Sequence, residues 1–267
     1  MKRIVLSVAL VFALAAMAGA LPPPTAHLSF DQAGSLVRES IGGQAFPLPP
    51  SISIKPGGVS GSYLALKRQD DAFVRLGKGY GYSGDFSISF WFRTAPGYRD
   101  TGAIFLGRHM AGGFNGYWFM INAEWGYGAQ DKLCFYYSNA TAVSKTSLND
   151  GRWHHVAAVH KRSEGAYLYI DGVLEAKGPP AQMVVPDVDF ILGGIGWNPP
   201  RGAFSGDLDE ISIFDLALEA PDVSLLAKNP GALGTSGAKA GSMRISLKDG
   251  QVIVLPLSDI AGIAFGD

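Results

Sequence analysis

The stretch Phe86–Arg93 reads FSISFWFR and carries the clearest structural pattern of this chain. Large apolar side chains occupy every second position, and the positions between them carry Ser87, Ser89, Trp91 and Arg93. A period of two is typical of a β-strand that lays one face on a hydrophobic core. The sequence therefore predicts an all-β protein built from strands of this kind.

Other segments extend the same pattern in both directions along the chain. Residues 153–172 read WHHVAAVHKRSEGAYLYIDG, two alternating runs that end in Asp171-Gly172, a dipeptide that favours a hairpin turn. Short apolar runs at 102–106, 117–122, 132–137 and 190–193 predict further strands separated by Gly, Pro and Asn. A helical pattern at 219–227 ends before Pro230-Gly231 and predicts one short helix.

These segments, together with FSGDLDEISIFD at 204–215 and HLSFD at 27–31, resemble the laminin G-like branch of the concanavalin A-like jelly rolls. The resemblance covers most of residues 26–230. It implies a two-sheet antiparallel jelly-roll sandwich with one short C-terminal helix. The fold is normally a binding module or a spacer, although some relatives are glycanases, so function must be argued from sites.

The N-terminus has the composition of a secretory signal peptide. Lys2 and Arg3 precede an apolar run at 4–17 and the small residues Ala18-Gly19-Ala20. The run is shorter than the roughly 20 residues that a spanning helix needs. We therefore expect cleavage after Ala20, no membrane span, and a mature protein that is secreted or periplasmic.

Charge and cysteine content exclude several classes of function. The chain has 22 Lys and Arg against 23 Asp and Glu, and residues 1–20 contain two of the basic ones. Without a basic stripe, nucleic acid is not an expected partner. Cys134 is the single cysteine, so no internal disulfide is available and the domain must rely on its hydrophobic core. We expect its thiol to be buried and inert.

The chain divides into a jelly-roll domain at 21–230, a linker at 231–242 and a C-terminal segment at 243–267. The linker is rich in Gly, Ala, Ser, Thr and Lys. In the C-terminal segment Met243, Ile245 and Leu247 alternate with polar residues before a turn at Asp249-Gly250, which predicts a separate β-hairpin. A hairpin alone is marginal in water, so it should dock on its own sandwich, on another copy, or on a partner's sheet edge by strand addition.

A search for catalytic carboxylates gives one incomplete pattern. Concanavalin-like glucanases carry acidic residues at alternate positions of one strand, and Asp207 and Asp209 would share a face here. The next position on that face is Ile211, and strict alternation points Glu210 to the other side. Retaining glycoside hydrolysis needs two carboxyl groups about 5 Å apart on one side. The sequence therefore predicts that the protein is not an enzyme.

Metal binding has one candidate site. The resemblance implies a structural Ca²⁺ near the first and last strands, held by Asp31 and Asp209. The alternative is that these two carboxylates bond loop backbone. His154 and His160 lie about 20 Å apart on one extended strand, so they cannot share an ion. Core packing and hydrogen bonding are the expected roles of these histidines.

Aromatic residues in loop-like segments suggest a sugar site, because an exposed ring stacks on a sugar face while polar neighbours bind its hydroxyl groups. The alternative is that these rings cover the ends of the sandwich. The predicted ligand-binding residues are Tyr98, Trp125, Tyr127, Trp197, Asn198 and Arg201.

Three functions follow from the sequence. The first is a secreted binding module for carbohydrate or for an extracellular or periplasmic protein. The second is a structural or assembly protein that docks through its C-terminal hairpin. The third is a glycoside hydrolase of the concanavalin-like class.

Overall fold

The protein is described by a computed structural model that covers residues 21–32, 34–80, 82–110, 115–123, 128–195, 201–233, 242–246 and 252–256. For residues 110, 195, 201 and 202 and for the last two ranges, only the backbone is described. Strands dominate, and the described part of the chain contains one α-helix.

The strands are short, as the many turn residues predict. Those of the first part of the chain are β1 (Ala26–Leu28), β2 (Leu36–Arg38), β3 (Ala45–Pro47), β4 (Ser53–Pro56), β5 (Ser62–Leu66), β6 (Val74–Arg75), β7 (Phe86–Arg93), β8 (Ala103–Met110), β9 (Asn115–Ile121), β10 (Leu133–Tyr137) and β11 (Ala140–Val143). The remaining elements are β12 (His154–Lys161), β13 (Gly165–Ile170), β14 (Val173–Lys177), β15 (Ile191–Leu192), β16 (Gly194–Ile195), β17 (Arg201–Gly202), β18 (Gly206–Phe214), the helix α1 (Ala220–Lys228), β19 (Ser242–Ser246) and β20 (Val252–Pro256).

Two antiparallel sheets form the sandwich. The larger has eight strands in the order β14-β13-β12-β7-β18-β5-β4, and β1 pairs with the second half of β18. The smaller has six strands in the order β11-β10-β9-β8-β15-β6. The strand β7, whose alternation predicted the fold, lies in the middle of the larger sheet between β12 and β18. The predicted two-sheet jelly-roll sandwich is confirmed.

The core between the sheets is aromatic. Phe90 of β7 contacts Phe105 of β8 and Phe119 of β9 edge to face, with ring centroids 5.7 Å and 4.8 Å apart. Phe92 stacks on Phe105 at 5.2 Å, and all four rings are fully buried. Burying one such side chain contributes about 1.5–3 kcal/mol. The alternate residues of Phe86–Arg93 therefore account for much of the cohesion between the sheets.

The helix covers part of the outer face of the eight-stranded sheet. Asp222 in its first turn accepts a hydrogen bond from the backbone N–H of Glu219 at 3.1 Å, which fixes the helix start. Val223 and Leu226 pack on Ala157 and on other outward residues of the sheet. Leu233 joins the same cluster, so ordered packing continues three residues beyond the position where composition ended the domain.

A β-bulge in β18 changes the predicted directions of its acidic residues. Glu210 has a backbone φ of 51°, and the pairing of β18 with β7 shifts between Asp209 and Ser212. The inserted residue leaves Ile211 in the core, while Glu210 joins the outward residues in lining a cleft. The expectations that Ile211 shares the face of Asp209 and that Glu210 points away were therefore wrong.

Histidine and cysteine side chains have structural roles. His154 lies between Asp171 and Asp150, with ring nitrogens 2.9 Å and 3.1 Å from their carboxylate oxygens. These two hydrogen bonds outweigh desolvation and raise its pKa. His160 stacks on Phe86 at a centroid distance of 5.0 Å. Burial raises the pKa of Cys134 to about 12, so its thiol is protonated and unreactive at neutral pH.

The C-terminal segment contains the predicted hairpin. β19 and β20 pair antiparallel as a separate two-stranded sheet, with Met243 opposite Leu255 and Ile245 opposite Ile253. Among the described residues, no helix combines the length and apolar character that a membrane crossing requires.

Candidate functional site

The uncovered half of the eight-stranded sheet carries a cluster that we call the Arg93 platform, formed by Tyr63, Trp91, Arg93, Trp153 and Asp207. The Arg93 guanidinium carbon lies 4.6 Å from the centroid of Trp153 and 5.2 Å from that of Tyr63. Asp207 anchors the guanidinium at 2.7 Å and 2.8 Å. All five side chains are half-buried, so the platform is ordered and yet reachable from solvent.

Strand register explains why these residues meet. Arg93 on β7 pairs with Asp207 on β18, which pairs with Ala65 on β5, which pairs with Ser53 on β4. Directly paired residues point to the same face. The row from Trp153 to Ser53 crosses four inter-strand spacings of about 4.8 Å, or about 19 Å in total. The row has small residues, Ala65 and Ser53, at one end and the ring of Trp153 at the other.

A narrow cleft adjoins the platform, and we call it the Glu210 cleft. Its volume is about 10 Å³. Trp91 belongs to both the platform and the cleft, and His155 contacts Trp91 edge to face at 5.3 Å. The segment that follows the helix, residues 229–233, forms the opposite wall. Trp91 therefore lies beside the segment that follows the helix, and its ring stays partly exposed.

Behind the cleft, Asp209 is fully buried and holds the turn between β4 and β5. Its Oδ2 accepts backbone N–H groups from Val59 at 2.8 Å and Ser60 at 3.3 Å, and its Oδ1 accepts that of Glu210 at 2.9 Å. Asp31 holds the other end of the turn, accepting the N–H of Ser62 at 3.0 Å. These bonds fit the expectation that both carboxylates bond loop backbone.

Burial strongly disfavours charge on these acids. Desolvation raises the pKa of Asp209 to about 8, and the nearby Glu210 carboxylate adds to the effect. Desolvation also raises the pKa of Glu210 to about 7, with a further contribution from Asp31. The closest basic group to Glu210 is His27, whose Nε2 lies 3.6 Å from Oε2, and burial lowers the pKa of that histidine. The carboxyl groups of Asp209 and Glu210 therefore have little positive charge nearby to stabilise their ionised forms.

A bound cation would supply the missing charge, and the site offers donors of the required type. Carboxylate and backbone carbonyl oxygens are the ligands that Ca²⁺ prefers. Glu210 Oε1 is buried and has no hydrogen-bond partner. In the described ranges, however, no three His, Cys, Asp or Glu residues group as metal ligands. Both Asp209 oxygens already accept backbone N–H groups, so a calcium ion at Asp31 and Asp209 stays a prediction that requires backbone carbonyls as further ligands.

Replacing Gly61 by alanine should lower the free energy of unfolding by about 2–3 kcal/mol, since the change adds backbone strain and a clash. Gly61 has a φ of 59°, and a Cβ atom there would lie 2.0 Å from Asp31 Oδ1. Gly57, with a φ of 91° and open space within 4 Å of where its Cβ would stand, is the matched control. Its alanine variant should lose about 1 kcal/mol. Urea denaturation measures both, and equal losses would contradict the close approach of Asp31.

The predicted ligand-binding residues have different outcomes. Tyr98 is buried, packs edge to face on Phe204 at 5.9 Å, and accepts a hydrogen bond from the backbone N–H of Ser205. The expectation of an exposed ring at Tyr98 was therefore wrong, because the ring closes one end of the core. The backbone of Arg201 lies in β17. The other predicted residues, Trp125, Tyr127, Trp197 and Asn198, lie outside the described residues.

A family model described as Laminin_G_3, of the concanavalin A-like lectin/glucanases superfamily, matches residues 68–224, more than half of the chain. The chain belongs to this family. The match includes β7, β12 and the bulged strand β18, and therefore most of the Arg93 platform. The resemblance inferred from the sequence is confirmed.

Curated relatives match a shorter region. "Sushi, von Willebrand factor type A, EGF and pentraxin domain-containing protein 1" from Mus musculus is 33% identical over 93 residues, which is 31% of this chain. The Rattus norvegicus protein of the same name is 32% identical over the same length. The aligned region spans 3% of the length of each relative.

Solved structures share the fold at low identity. Domain 4 of AbnA, a GH43 extracellular arabinanase from Geobacillus stearothermophilus solved with arabinotriose, is 23% identical with a TM-score of 0.57, covering 78% of this chain and all of that one. The binding domain of Paraclostridial Mosquitocidal Protein 1 is 14% identical with a TM-score of 0.58, covering 77% and 52%. The Botulinum Neurotoxin Type G receptor binding domain is 13% identical with a TM-score of 0.55, covering 78% and 51%. The sandwich thus recurs in binding domains of larger proteins.

Sequence reasoning missed Tyr63, Arg93 and Trp153 as site residues. Alternation did place Trp91 and Arg93 on the outward face of β7, which was the available signal. Alternation could not show which strands lie beside β7 in the sheet, because β18 and the next strand, β5, come from distant parts of the chain.

Proposed function

We propose that this protein is an exported, non-catalytic module that binds carbohydrate on the Arg93 platform. The observation that carries the proposal is the ordered placement of Tyr63 and Trp153 around one guanidinium on an uncovered sheet face. Aromatic rings stack on the apolar faces of sugars, and charged groups beside them bind hydroxyl groups. The signal-peptide composition of residues 1–20 supports export.

The shape of the platform favours an extended glycan over a single sugar. Ala65 and Ser53 continue the row of Trp153, Arg93 and Asp207 without bulky side chains. A chain about 19 Å long could lie across these strands. Because Asp207 and the two rings already hold Arg93 in place, little side-chain entropy is lost on binding.

Similar structures support a binding role. The AbnA domain was solved with arabinotriose, and a botulinum neurotoxin type C structure, 12% identical with a TM-score of 0.54, concerns cell entry that depends on interaction with two ganglioside molecules. Those ligands belong to those proteins. The loop residues Trp125, Tyr127, Trp197, Asn198 and Arg201 remain a predicted second glycan surface.

Burial of the acidic residues argues against glycoside hydrolysis. Asp209 is fully buried with both oxygens bonded to backbone, and Glu210 is 7% exposed. A hydrolase must expose a pair of carboxyl groups to the scissile bond from one open groove. The described residues offer no such pair on the Arg93 platform, where Asp207 is bound to Arg93.

We further propose that Asp31 and Asp209 hold a structural Ca²⁺. The poorly compensated charge of Asp209 and Glu210 supports this, since a divalent cation would stabilise their ionised forms. Its role would be to secure the turn between β4 and β5, which borders the platform at Tyr63.

Assembly through the C-terminal hairpin is the second candidate function, because β19 and β20 form a two-stranded sheet of their own. Such a sheet is marginally stable unless it docks on another surface. A partner protein that adds a strand to its edge remains a proposal.

A glycan array probed with the full chain and with a chain truncated after Leu233 distinguishes the two functions. We expect both to bind the same glycans, because the platform lies before the truncation. Silence of both proteins across plant, microbial and host glycans would contradict the proposed function. Loss of binding only in the truncated chain would favour the hairpin as the functional element.

A further inference from the structure

We infer that His154 positions Trp153 for glycan binding: the protonated imidazole holds the turn that carries Trp153, so the Arg93 platform loses affinity when His154 loses its proton. This inference rests on the proposed glycan binding. It concerns how pH regulates the platform, whereas the proposed function concerns whether the platform binds sugars.

Both ring nitrogens of His154 lie within hydrogen-bond distance of a carboxylate. Nδ1 is 2.9 Å from Oδ2 of Asp171, and Nε2 is 3.1 Å from Oδ1 of Asp150. A neutral imidazole carries a hydrogen on only one nitrogen, whereas the protonated ring donates from both. With both carboxylates ionised, the two contacts are hydrogen bonds at the same time only when His154 is positively charged.

The charged surroundings of His154 favour this form. In the described ranges, Asp171 and Asp150 are the charged groups that act on it, and β7 contributes the uncharged ring of Phe92. Arg152 bonds Asp150 at 2.6 Å, but its side chain is 79% exposed and solvent screens its charge. Burial opposes ionisation of both carboxyl groups, yet hydrogen bonds lower the pKa of Asp150 to about 2 and also lower that of Asp171. Both are therefore ionised at neutral pH.

The bond to Asp150 holds the turn that precedes β12. Asp150 also accepts the backbone N–H of Arg152 at 2.9 Å, so it links the residues on either side of Trp153. In the described part of the chain, the other hydrogen bonds of residues 150–153 stay inside the turn. The bond from His154 therefore fixes this turn to the first residue of β12.

Loss of the proton breaks the contact with Asp150 rather than the contact with Asp171. Asp171 is held in place, because its Oδ1 accepts the backbone N–H of His155 at 2.8 Å. The other bonds of Asp150 lead to Arg152 of its own turn, so this carboxylate can move away. A neutral His154 keeps its hydrogen on the side of Asp171 and presents a lone pair to Asp150, which repels the carboxylate.

His154 acts through Trp153 and does not touch the sugar. It pairs with Phe92, whose ring lies in the core between the sheets, so its own ring points away from the outer face. Trp153 contacts Arg93 on that outer face. When the turn loosens, Trp153 must be ordered during binding, and this loss of conformational entropy lowers the affinity.

The direction of the pH dependence follows from the pKa of His154. Burial opposes its protonation, but the hydrogen bonds to Asp171 and Asp150 raise the pKa above its ordinary value of 6.5. The link is therefore complete below pH 6.5 and is lost as pH rises through the raised pKa. Glycan binding should be tightest on the acidic side.

Titration calorimetry of the full chain from about pH 5.5 to about pH 9 tests the inference, with cellotetraose, xylotetraose and the tightest uncharged glycan of the array as probes. We expect affinity to fall about fivefold over this range, since one charge-assisted hydrogen bond is lost while the Trp153 ring remains. The midpoint should coincide with the titration of the His154 ring nitrogens, followed by NMR. Constant affinity while His154 titrates would overturn the inference and leave the proposed function intact. Absence of binding to every glycan would overturn both.

Two variants remove the link in different ways. His154→Gln can donate from a single nitrogen only, and Asp150→Asn removes the carboxylate. Both should bind like the native protein at high pH, and their affinity should not change with pH. Asp187→Asn is the control, because this exposed aspartate pairs with Lys78, and it should keep the native profile. A native pH profile in a folded His154→Gln or Asp150→Asn protein would contradict the inference. If neither variant folds, the titration of the native protein decides.

Discussion

Replacing Trp153 by alanine should weaken glycan binding about 30-fold or more, the loss typical of a central aromatic contact. The change removes a stacking ring and also releases Arg93, whose guanidinium lies 4.6 Å from that ring. Calorimetry with a glycan identified on the array measures the loss. Thermal unfolding should change little by comparison, since Trp153 is half-buried and lies outside the core between the sheets.

Matched variants separate the platform from general surface effects. Tyr167 is half-buried on the same sheet and contacts Lys177 and Lys161 through its ring, much as Tyr63 contacts Arg93. Tyr63→Ala should reduce binding strongly, whereas Tyr167→Ala should not. A Trp153→Ala protein that binds with full affinity would rule out the platform, and the loop residues would become the candidate site.

Calcium should raise the melting temperature at pH 8 by about 5–10 °C when present at a hundredfold excess over its dissociation constant. In the absence of metal, the buried charges of Asp209 and Glu210 oppose folding at this pH. The ion would replace the missing protons. Scanning calorimetry with chelator and with Ca²⁺ checks the shift.

The sign of the pH dependence follows from the raised pKa values. In the unfolded chain Asp209 and Glu210 lose their protons near pH 3.8 and 4.5, but in the folded protein near pH 8 and 7. Between these limits the folded state binds more protons, so stability falls as pH rises from about 4 to about 8. With chelator the protein should therefore melt higher at pH 5 than at pH 8. The calcium effect should shrink at pH 5.

Asp209→Asn should flatten this pH dependence and remove the calcium response. Its absolute stability should also fall, because an amide cannot accept all three backbone N–H groups that Asp209 binds. Asp187→Asn is the control, since Asp187 is exposed and pairs with Lys78. An unchanged pH profile in Asp209→Asn would contradict the assignment. If the variant's stability depends less on pH but the native protein does not respond to calcium, Asp209 titrates in the folded protein without binding a metal.

The alternation of Phe86–Arg93 predicted a strand with one apolar face that needs a cover. The two-sheet sandwich followed from the resemblance of several such segments, in their order along the chain, to the laminin G-like pattern. The helix start was also predictable from Glu219 to Asp222. The bulge at Glu210 was missed, although its signal was present. Inward residues Leu208 and Ile211 are three positions apart, where an unbroken strand would space them by two.

The site was harder to predict than the fold because it depends on lateral neighbours. Arg93, Asp207 and Tyr63 come from three strands and Trp153 directly precedes a fourth, and only the strand order brings them together. Aromatic residues in loop-like sequence were the visible candidates, yet Tyr98 is part of the core. Whether a side chain can contact a ligand depends on its neighbours on adjacent strands. The local sequence around that side chain does not show which strands these are.

The burial of Leu233 beside the Glu210 cleft fixes where the remaining chain departs. The backbone of β19 begins at Ser242, nine residues later, so the chain length keeps it within about 32 Å of Leu233, beside the proposed sugar-binding face. If the C-terminal hairpin binds a larger assembly, the short connection would keep the module close to the surface of that assembly, so it could reach only nearby glycans. Local effective concentration, more than intrinsic affinity, would then govern capture.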